Sequence, residues 1–261
     1  MKIAILYICT GEYVAFWEDF YCSFELYFLR QDIKEYFVFT DSESIYGEKD
    51  TDKIHRIYQE NLGWPGNTLF RFKVFSKILE QLENYDYVFF MNANVICKRE
   101  ITREMFLPAD HDLLVVQHPG YYDKRNYEFP YERRKKSKDY ISYREGQVYV
   151  CGGVNGGKAK PYMRLIGELE RRIQDDYERG VIAVWHDESQ LNRYIIDHTN
   201  YRLLTPSFCY PEGADIPFHT CLMVSEKSKK IGLDSGKVKR QRGKPLAGIR
   251  RRVIGMIVKR L

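Results

Sequence analysis

Two asparagines one residue apart, Asn92 and Asn94, close the apolar run "YDYVFF" in the stretch that continues as "MNANVICK". At the end of a buried strand a metal enzyme would want two aspartates at this spacing, because neutral amides lack the charge with which carboxylates hold Mg²⁺ or Mn²⁺. The same asparagines also suit a turn that simply ends a strand. A second polar cluster, "WHDES" from Trp185 to Ser189, gathers an indole, an imidazole and two carboxylates at what reads as a strand-to-helix junction. Polar groups there face a cleft beside helix N-terminal amides, although an ordinary acidic helix start has the same composition. "HPGYY", beginning at His118, follows the apolar run "LLVVQ" and reads either as a site or as a turn with a core histidine. "CGGVNGG" is either a plain turn cluster or a place where glycines let a backbone approach a ligand closely. Its spacing is not that of a dinucleotide-binding loop, and the chain has no Walker loop.

The elements that would position these residues alternate between strand and helix. "KIAILYI" reads as a strand, "VAFWEDFYCSFELYFL" as a helix, and "EYFVFTD" and "HRIYQE" as further strands. A helix through "TLFRFKVFSKILEQL" then leads into the strand "YDYVFFMNAN". This order predicts an α/β fold with a mainly parallel, twisted sheet flanked by helices. In such sheets ligands bind beyond the C-terminal strand ends, where "TGEY" and "NAN" both fall. The Tyr- and Gly-rich middle, from "HPGYY" through "FPYERRKKSKDY" to "GQVYVCGGVNGG", reads as a long loop, either functional or disordered, whose aromatics favour ordering. After it, "KPYMRLIGELERRIQDD" is helical and "VIAVWHDESQLNRYIID" runs from strand into helix, with Asp187 or Ser189 near the N-cap.

Composition narrows the function classes. With 261 residues, 44% hydrophobic and 15% aromatic, the chain has ample material for a packed core. Its six cysteines show no paired zinc-site spacing and read as reduced core residues of a cytosolic protein. Nothing at the N-terminus reads as a signal peptide or a membrane span. The chain carries 41 basic and 36 acidic residues, but ten Lys/Arg and no Asp/Glu lie between Lys237 and Leu261. The first 236 residues therefore hold 31 basic against 36 acidic residues, which argues against nucleic acid as the partner. In the tail, Leu246, Ile249, Val253 and Ile257 fall at helical spacing among arginines and lysines, the pattern of a helix lying on anionic lipid. A solvated basic tail is the plainer alternative. The expected division is a domain over residues 1–230 and a basic amphipathic tail over 231–261, in a cytoplasmic protein with peripheral contact at the inner membrane face.

Eight segments, "YICTGEY", "NLGWPGNTLFRFK", "YDYVFFMNAN", "HPGYY", "FPYERR", "VYVCGGVNGG", "AVWHDESQLNRY" and "LTPSFCYPEG", together resemble glycosyltransferase family 6, in order and over most of the chain. That retaining family includes the histo-blood-group A and B transferases and α1,3-galactosyltransferase. The resemblance implies a single GT-A type domain that takes a UDP-sugar donor and an oligosaccharide acceptor. It further implies uridine contacts at Ile8, Cys9, Thr10 and Tyr13 with Trp64 nearby, and donor contacts at Arg71, Asn92, Ala93, Asn94, Gly152, Gly153 and Asp187. Glu188 resembles the catalytic carboxylate, and His118, Tyr121, Trp185 and Glu188 resemble acceptor positions. Mammalian members have Asp-x-Asp where this chain has Asn92 and Asn94, so the resemblance to the bacterial branch implies that no metal cofactor is needed. Cationic side chains would then neutralise the leaving UDP, Arg71 first and Lys227 and Lys229 after it. Small residues at "CGG" imply room for an acetamido group, hence UDP-N-acetylgalactosamine, and "HPGYY" implies an α1,2-fucosylated galactose acceptor. Pro130 replaces the Thr of "FTYERR", and Pro211 replaces an acceptor-binding Asp, with Glu212 beside it as a substitute. The alternatives are a UDP-galactose-dependent α1,3-galactosyltransferase and a noncatalytic carbohydrate-binding protein on the same fold.

Overall fold

The apolar run after Met1 forms β1 (Lys2–Ile8), buried along its centre between two parallel neighbours. A strand without polar alternation is what a sheet covered on both faces requires. In chain order there follow a 3-10 helix (Gly11–Phe16), α1 (Trp17–Tyr27), β2 (Ile33–Thr40), β3 (Ile54–Tyr58), α2 (Gly63–Leu69), α3 (Arg71–Ser76), α4 (Leu79–Leu82), β4 (Tyr87–Met91) and β5 (Val95–Cys97). The rest comprises α5 (Arg103–Phe106), β6 (Leu113–Gln117), β7 (Val150–Lys158), α6 (Ala159–Glu178), α7 (Asp187–Asp197), β8 (Tyr201–Leu204), β9 (Tyr210–Pro211) and β10 (Leu222–Val224). Seven strands form one sheet in the order β3-β2-β1-β4-β7-β6-β8, and β5-β10-β9 form a small second sheet. Within the large sheet only β7 runs antiparallel to its neighbours, so the expected α/β fold with a mainly parallel sheet is present.

The computed structural model describes residues 1–232. The chain divides into a compact unit, Met1–Ser225, and a second unit, Glu226–Leu261, of which the described part is α8 (Ser228–Ile231) and its flanks. The amphipathic pattern read over 246–257 lies outside the described residues. Among the described residues no helix is long and apolar enough to cross a membrane.

The structure corrects the expected elements in three places. The single helix expected over 68–82 is broken at Phe70 and Ile78, whose backbones leave the helical region, and the first break makes Arg71 a helix start. "CGGVNGG" is neither turn nor loop but part of β7, between β4 and β6. Its glycines are needed for close packing: a Cβ on Gly156 would lie 2.3 Å from Phe89 Cδ1 and 2.4 Å from the Val88 carbonyl. The stretch before "WHDES" is a turn rather than a strand, held at its start by the Val181 N–H on Asp176 O. All six cysteines are free thiols, and Cys22 departs from the expected core placement by being exposed.

The loop between β6 and β7 has its own core of Phe129, Tyr131, Ile141 and Tyr149, with Tyr121 packed against it. It also holds a buried carboxyl, Asp139, neither of whose oxygens is hydrogen-bonded. Burial, then the Asp176 carboxylate on α6, pushes its pKa from 3.8 up to about 8; Arg172 on α6 and Arg193 on α7 pull against this, and Glu132 in the loop adds to the rise. A carboxyl whose pKa is higher in the fold than in the unfolded chain costs stability progressively as pH rises between those two values. Asp139→Asn is therefore expected to raise the melting temperature, and to do so more at about pH 8 than at about pH 5. Equal shifts at the two pH values, read by calorimetry, would contradict a protonated Asp139.

Candidate active site

β1, β4 and β6 end, and β7 begins, at one edge of the sheet, and between β1 and β4 the strand order reverses. That switch point is where an α/β sheet opens a crevice for a ligand. On the β1 side Ile8 ends the strand and Cys9 and Thr10 are buried, with the Cys9 N–H donating to Phe39 O at 2.9 Å and Thr40 Oγ1 to Cys9 O at 2.8 Å. The chain turns at Gly11, whose φ of +58° favours glycine and whose N–H donates to Asp41 Oδ1 at 2.7 Å. Tyr13 follows, half-buried, with its ring 5.9 Å from that of Phe16. Trp64 is exposed and meets the His186 ring edge-on at 5.5 Å.

Arg71 lies at the centre of the edge. Its guanidinium donates through Nη1 to Asp187 Oδ2 at 2.5 Å and to Gly152 O at 3.0 Å, and through Nη2 to Asn92 Oδ1 at 3.3 Å. It sits over the Phe90 ring at 4.1 Å, and both Arg71 and Asp187 are buried. One cation thus ties α3 to β4, β7 and the start of α7. Burial raises the Asp187 pKa to about 6, against the lowering effect of Arg71, and the adjacent Glu188 adds to the rise.

Glu188 is half-buried and held at both oxygens: Tyr149 Oη donates to Oε1 at 2.6 Å and the Gly152 N–H to Oε2 at 2.8 Å. Its helix is pinned to β7 by Asn192, which accepts from the Val150 N–H at 3.0 Å and donates to Val150 O at 2.9 Å and to Glu188 O at 2.8 Å. Behind Gly152, Asn155 Nδ2 donates to the same carbonyl that Arg71 uses, and Tyr162 Oη donates to Asn155 Oδ1. The result is a fixed carboxylate next to a buried ion pair, at the sheet edge that carries the switch point.

The two asparagines part company. Asn92 faces Arg71, and its N–H donates to Gly153 O at 2.8 Å. Asn94 is buried and turned away, its Nδ2 donating to Ser225 O at 2.6 Å. Ala93 between them is buried and accepts the Tyr7 hydroxyl through its carbonyl at 2.9 Å. The glycines at the start of β7 lie close to polar side chains. A Cβ on Gly153 would lie 2.6 Å from Asn92 Nδ2, and one on Gly152 would lie 3.2 Å from both Asp187 Oδ2 and Glu188 Cβ.

On the β6 side His118 and Tyr121 flank Tyr149, with ring centroids 5.6 Å and 5.1 Å from it. The Gly120 N–H donates to His118 Nδ1 at 3.0 Å, and burial lowers the imidazole pKa to about 4, so the ring is neutral and carries its proton on Nε2. The Trp185 N–H donates to Ser189 Oγ at 3.0 Å. Glu212 stands just past β9 in the small sheet, its N–H on Val224 O at 2.9 Å. Lys227 and Lys229 belong to the second unit, where Lys229 Nζ lies 3.9 Å from Glu226 Oε2.

Sequence reasoning omitted Tyr149, Asn155, Tyr162 and Asn192 from the site. Asn192 was findable as the residue one helical turn beyond Glu188, and Asn155 as the one amide inside a buried glycine-rich strand. Tyr149 gave no local signal, because it appears as another tyrosine in a tyrosine-rich stretch. Among the described residues no group of three or more His, Cys, Asp or Glu side chains could hold a metal ion.

The pattern of glycosyltransferase family 6 matches residues 1–231. O-antigen biosynthesis glycosyltransferase WbnI of Escherichia coli is 40% identical over 212 residues, covering 81% of this chain and 89% of that protein. Globoside α1,3-N-acetylgalactosaminyltransferase 1 of Gallus gallus is 26% identical over 83% of this chain and 64% of its own length. Histo-blood group ABO system transferase 1 of Rattus norvegicus is 29% identical over 80% of this chain and 61% of its own length, so the chain spans under two thirds of these animal relatives. With a family match over residues 1–231 and a relative 40% identical over 89% of its own length, the chain belongs to glycosyltransferase family 6.

Proposed function

We propose that this family 6 glycosyltransferase moves N-acetylgalactosamine from UDP-N-acetylgalactosamine to a galactose-terminated, α1,2-fucosylated acceptor, with retention, forming an α1,3 linkage and needing no divalent metal. The observation that carries the reading is the Glu188 carboxylate held between Tyr149 and the Gly152 amide, beside the Arg71–Asp187 pair. A fixed anion of this kind stabilises the positive charge that develops at the anomeric carbon as UDP departs. It does so either as a nucleophile forming a covalent glycosyl intermediate or by charge alone while the acceptor attacks from the leaving-group face. A noncatalytic glycan binder would have no need to hold a carboxylate at both oxygens.

Metal independence is supported by the charge balance at the sheet edge. Neutral Asn92 leaves the Arg71 guanidinium without a second carboxylate to compete with the UDP phosphates, and Asp187 is its one anionic contact among the described residues. The donor reading is supported by the N-acetylgalactosaminyltransferase named among the relatives. Asn92, the neighbour of Gly153, offers a neutral amide that can hydrogen-bond an acetamido group. For the acceptor, His118, Tyr121 and Trp185 supply neutral, ring-bearing surface of the kind that packs against sugars, with Glu212 as an outlying carboxylate.

With UDP-N-acetylgalactosamine and 2'-fucosyllactose, equal turnover is expected in EDTA and in Mn²⁺, and faster than with UDP-galactose. Activity only with Mn²⁺ would overturn metal independence, and a preference for UDP-galactose would overturn the donor. Glu188→Gln is expected to lose at least about 100-fold in kcat, since charge at this position counts most in the transition state. Tyr149→Phe removes one charge-assisted hydrogen bond, commonly about 1.5–3 kcal/mol, and is expected to lower kcat about 10- to 100-fold with little change in KM. An unchanged kcat for either variant would remove that residue from the catalytic machinery. Because the Asp187 pKa is raised to about 6, its charge, and with it the Arg71 pairing, is lost as pH falls through that value. The kcat profile should therefore drop on the acid side near pH 6, and Asp187→Asn should lack that limb; a wild-type profile flat down to about pH 5 would contradict this role.

A further inference from the structure

The "YERR" segment of the loop before β7 has no part in the donor or acceptor contacts above, yet two of its charged side chains reach the segment that delivers Asp187 and Glu188. Glu132 is buried, and its Oε2 accepts the Val184 N–H at 2.9 Å. The same carboxylate is gripped by Arg134, whose N–H and Nε donate to Oε1 at 2.9 Å and 2.8 Å and whose Nη2 contacts Oε2. Arg134 Nη2 then continues to Ile182 O at 2.6 Å, so one planar guanidinium spans Glu132 and the backbone of the turn. Arg133, between them, turns the other way and donates to Ile141 O, Ser142 O and Asn126 O, holding the loop to itself.

We infer that Glu132 and Arg134 are positioning residues that fix the 182–184 backbone and thereby set where α7 presents the Glu188 carboxylate. The inference rests on the reading of Glu188 as the catalytic carboxylate. The physical need for such a brace lies one residue before the helix. His186 has φ +53° and ψ −125°, a conformation that a residue with a side chain adopts only when both flanks are held. On the helix side the flank is held by the Trp185 N–H on Ser189 Oγ and by Asn192 on β7. Upstream it is held by Glu132 and Arg134. Ala183, between the two braced residues, is buried, so the turn is also seated on the core while Val184 beside it is exposed. The loop therefore meets Glu188 twice, through Tyr149 directly and through this brace by way of the backbone. A shift of about 1 Å in a reacting group is enough to cost about 100-fold in rate.

The test compares wild type, Glu132→Gln, Arg134→Ala and Arg134→Lys for kcat and KM with UDP-N-acetylgalactosamine and 2'-fucosyllactose, together with hydrogen exchange of the amides over 182–188. Glu132→Gln and Arg134→Ala are expected to lower kcat at least tenfold with KM for the donor changed less than threefold. Arg134→Lys should recover part of the loss, and exchange at Val184 should speed up at least tenfold in Glu132→Gln. Arg134 is partly exposed, so if Glu132→Gln does not fold, Arg134→Ala decides the matter. A folded Arg134→Ala with wild-type kcat, or unchanged exchange over 182–188, would overturn the brace. If wild type itself transfers no sugar, the proposed function fails instead, and the exchange measurement still decides whether the brace holds the turn.

Discussion

A single buried cation organises the site. Arg71 is taken out of water, where an unpaired guanidinium would cost several kcal/mol, and is held there because its two terminal nitrogens meet a carboxylate, a backbone carbonyl and an amide on three different elements, while its Nε is left without a partner among the described residues. Each partner is thereby fixed by what the others need. The Gly152 carbonyl must face α3, so the Gly153 N–H of the same planar peptide must face away and the start of β7 is set; Asp187 must face inward, so Glu188 follows on the next helical position. Removing one member of such a pair typically costs about 3–5 kcal/mol, because it strands the other charge in the interior.

The glycines of β7 make this geometry reachable. A strand inserted antiparallel between β4 and β6 has to pass over Phe89 at Gly156 and admit Asn92 at Gly153, and a Cβ at either place would lie well inside contact distance. With ordinary side chains there, β7 would be pushed off β4, and the Gly152 amide would no longer reach Glu188. The N-terminal end of the strand thus carries chemistry while its interior carries the packing that makes the chemistry possible. Tyr162 and Asn155 link the two, hydrogen-bonding from α6 through the strand to the carbonyl that Arg71 shares.

The parts legible in the sequence were those encoded by periodicity and by apolar runs ending in polar residues. β1, β2, β4, β6, α6 and α7 follow their patterns, and the sheet edge where Thr10, Asn92 and His118 gather follows from parallel pairing. What escaped depends on tertiary contact. "CGGVNGG" has the composition of a turn, and only the presence of Phe89 and Val88 across the sheet shows why a strand needs it. The turn before "WHDES" looks like a strand because its apolar residues meet the core, but its backbone is held by hydrogen bonds to Asp176, Glu132 and Arg134 instead of a ladder. Tyr149 and Arg134 come from a loop whose charges and aromatics, read locally, are indistinguishable from a solvated surface.

The asparagine pair that opens the site is likewise not a neutral copy of a metal pair. Asn94 uses its amide as a donor to Ser225 O while its own carbonyl accepts the Ser225 N–H at 2.8 Å, closing the end of the compact unit against β4. An ionised aspartate here could only accept and would set a carboxylate against the Ser225 carbonyl, whereas the amide supplies the N–H donor this closure uses. At Asn92 the neighbour is different: its Oδ1 accepts from Arg71 Nη2, the terminal nitrogen that Asp187 does not use. At each position the amide is therefore part of how the edge is held together, and each is justified by a separate neighbour.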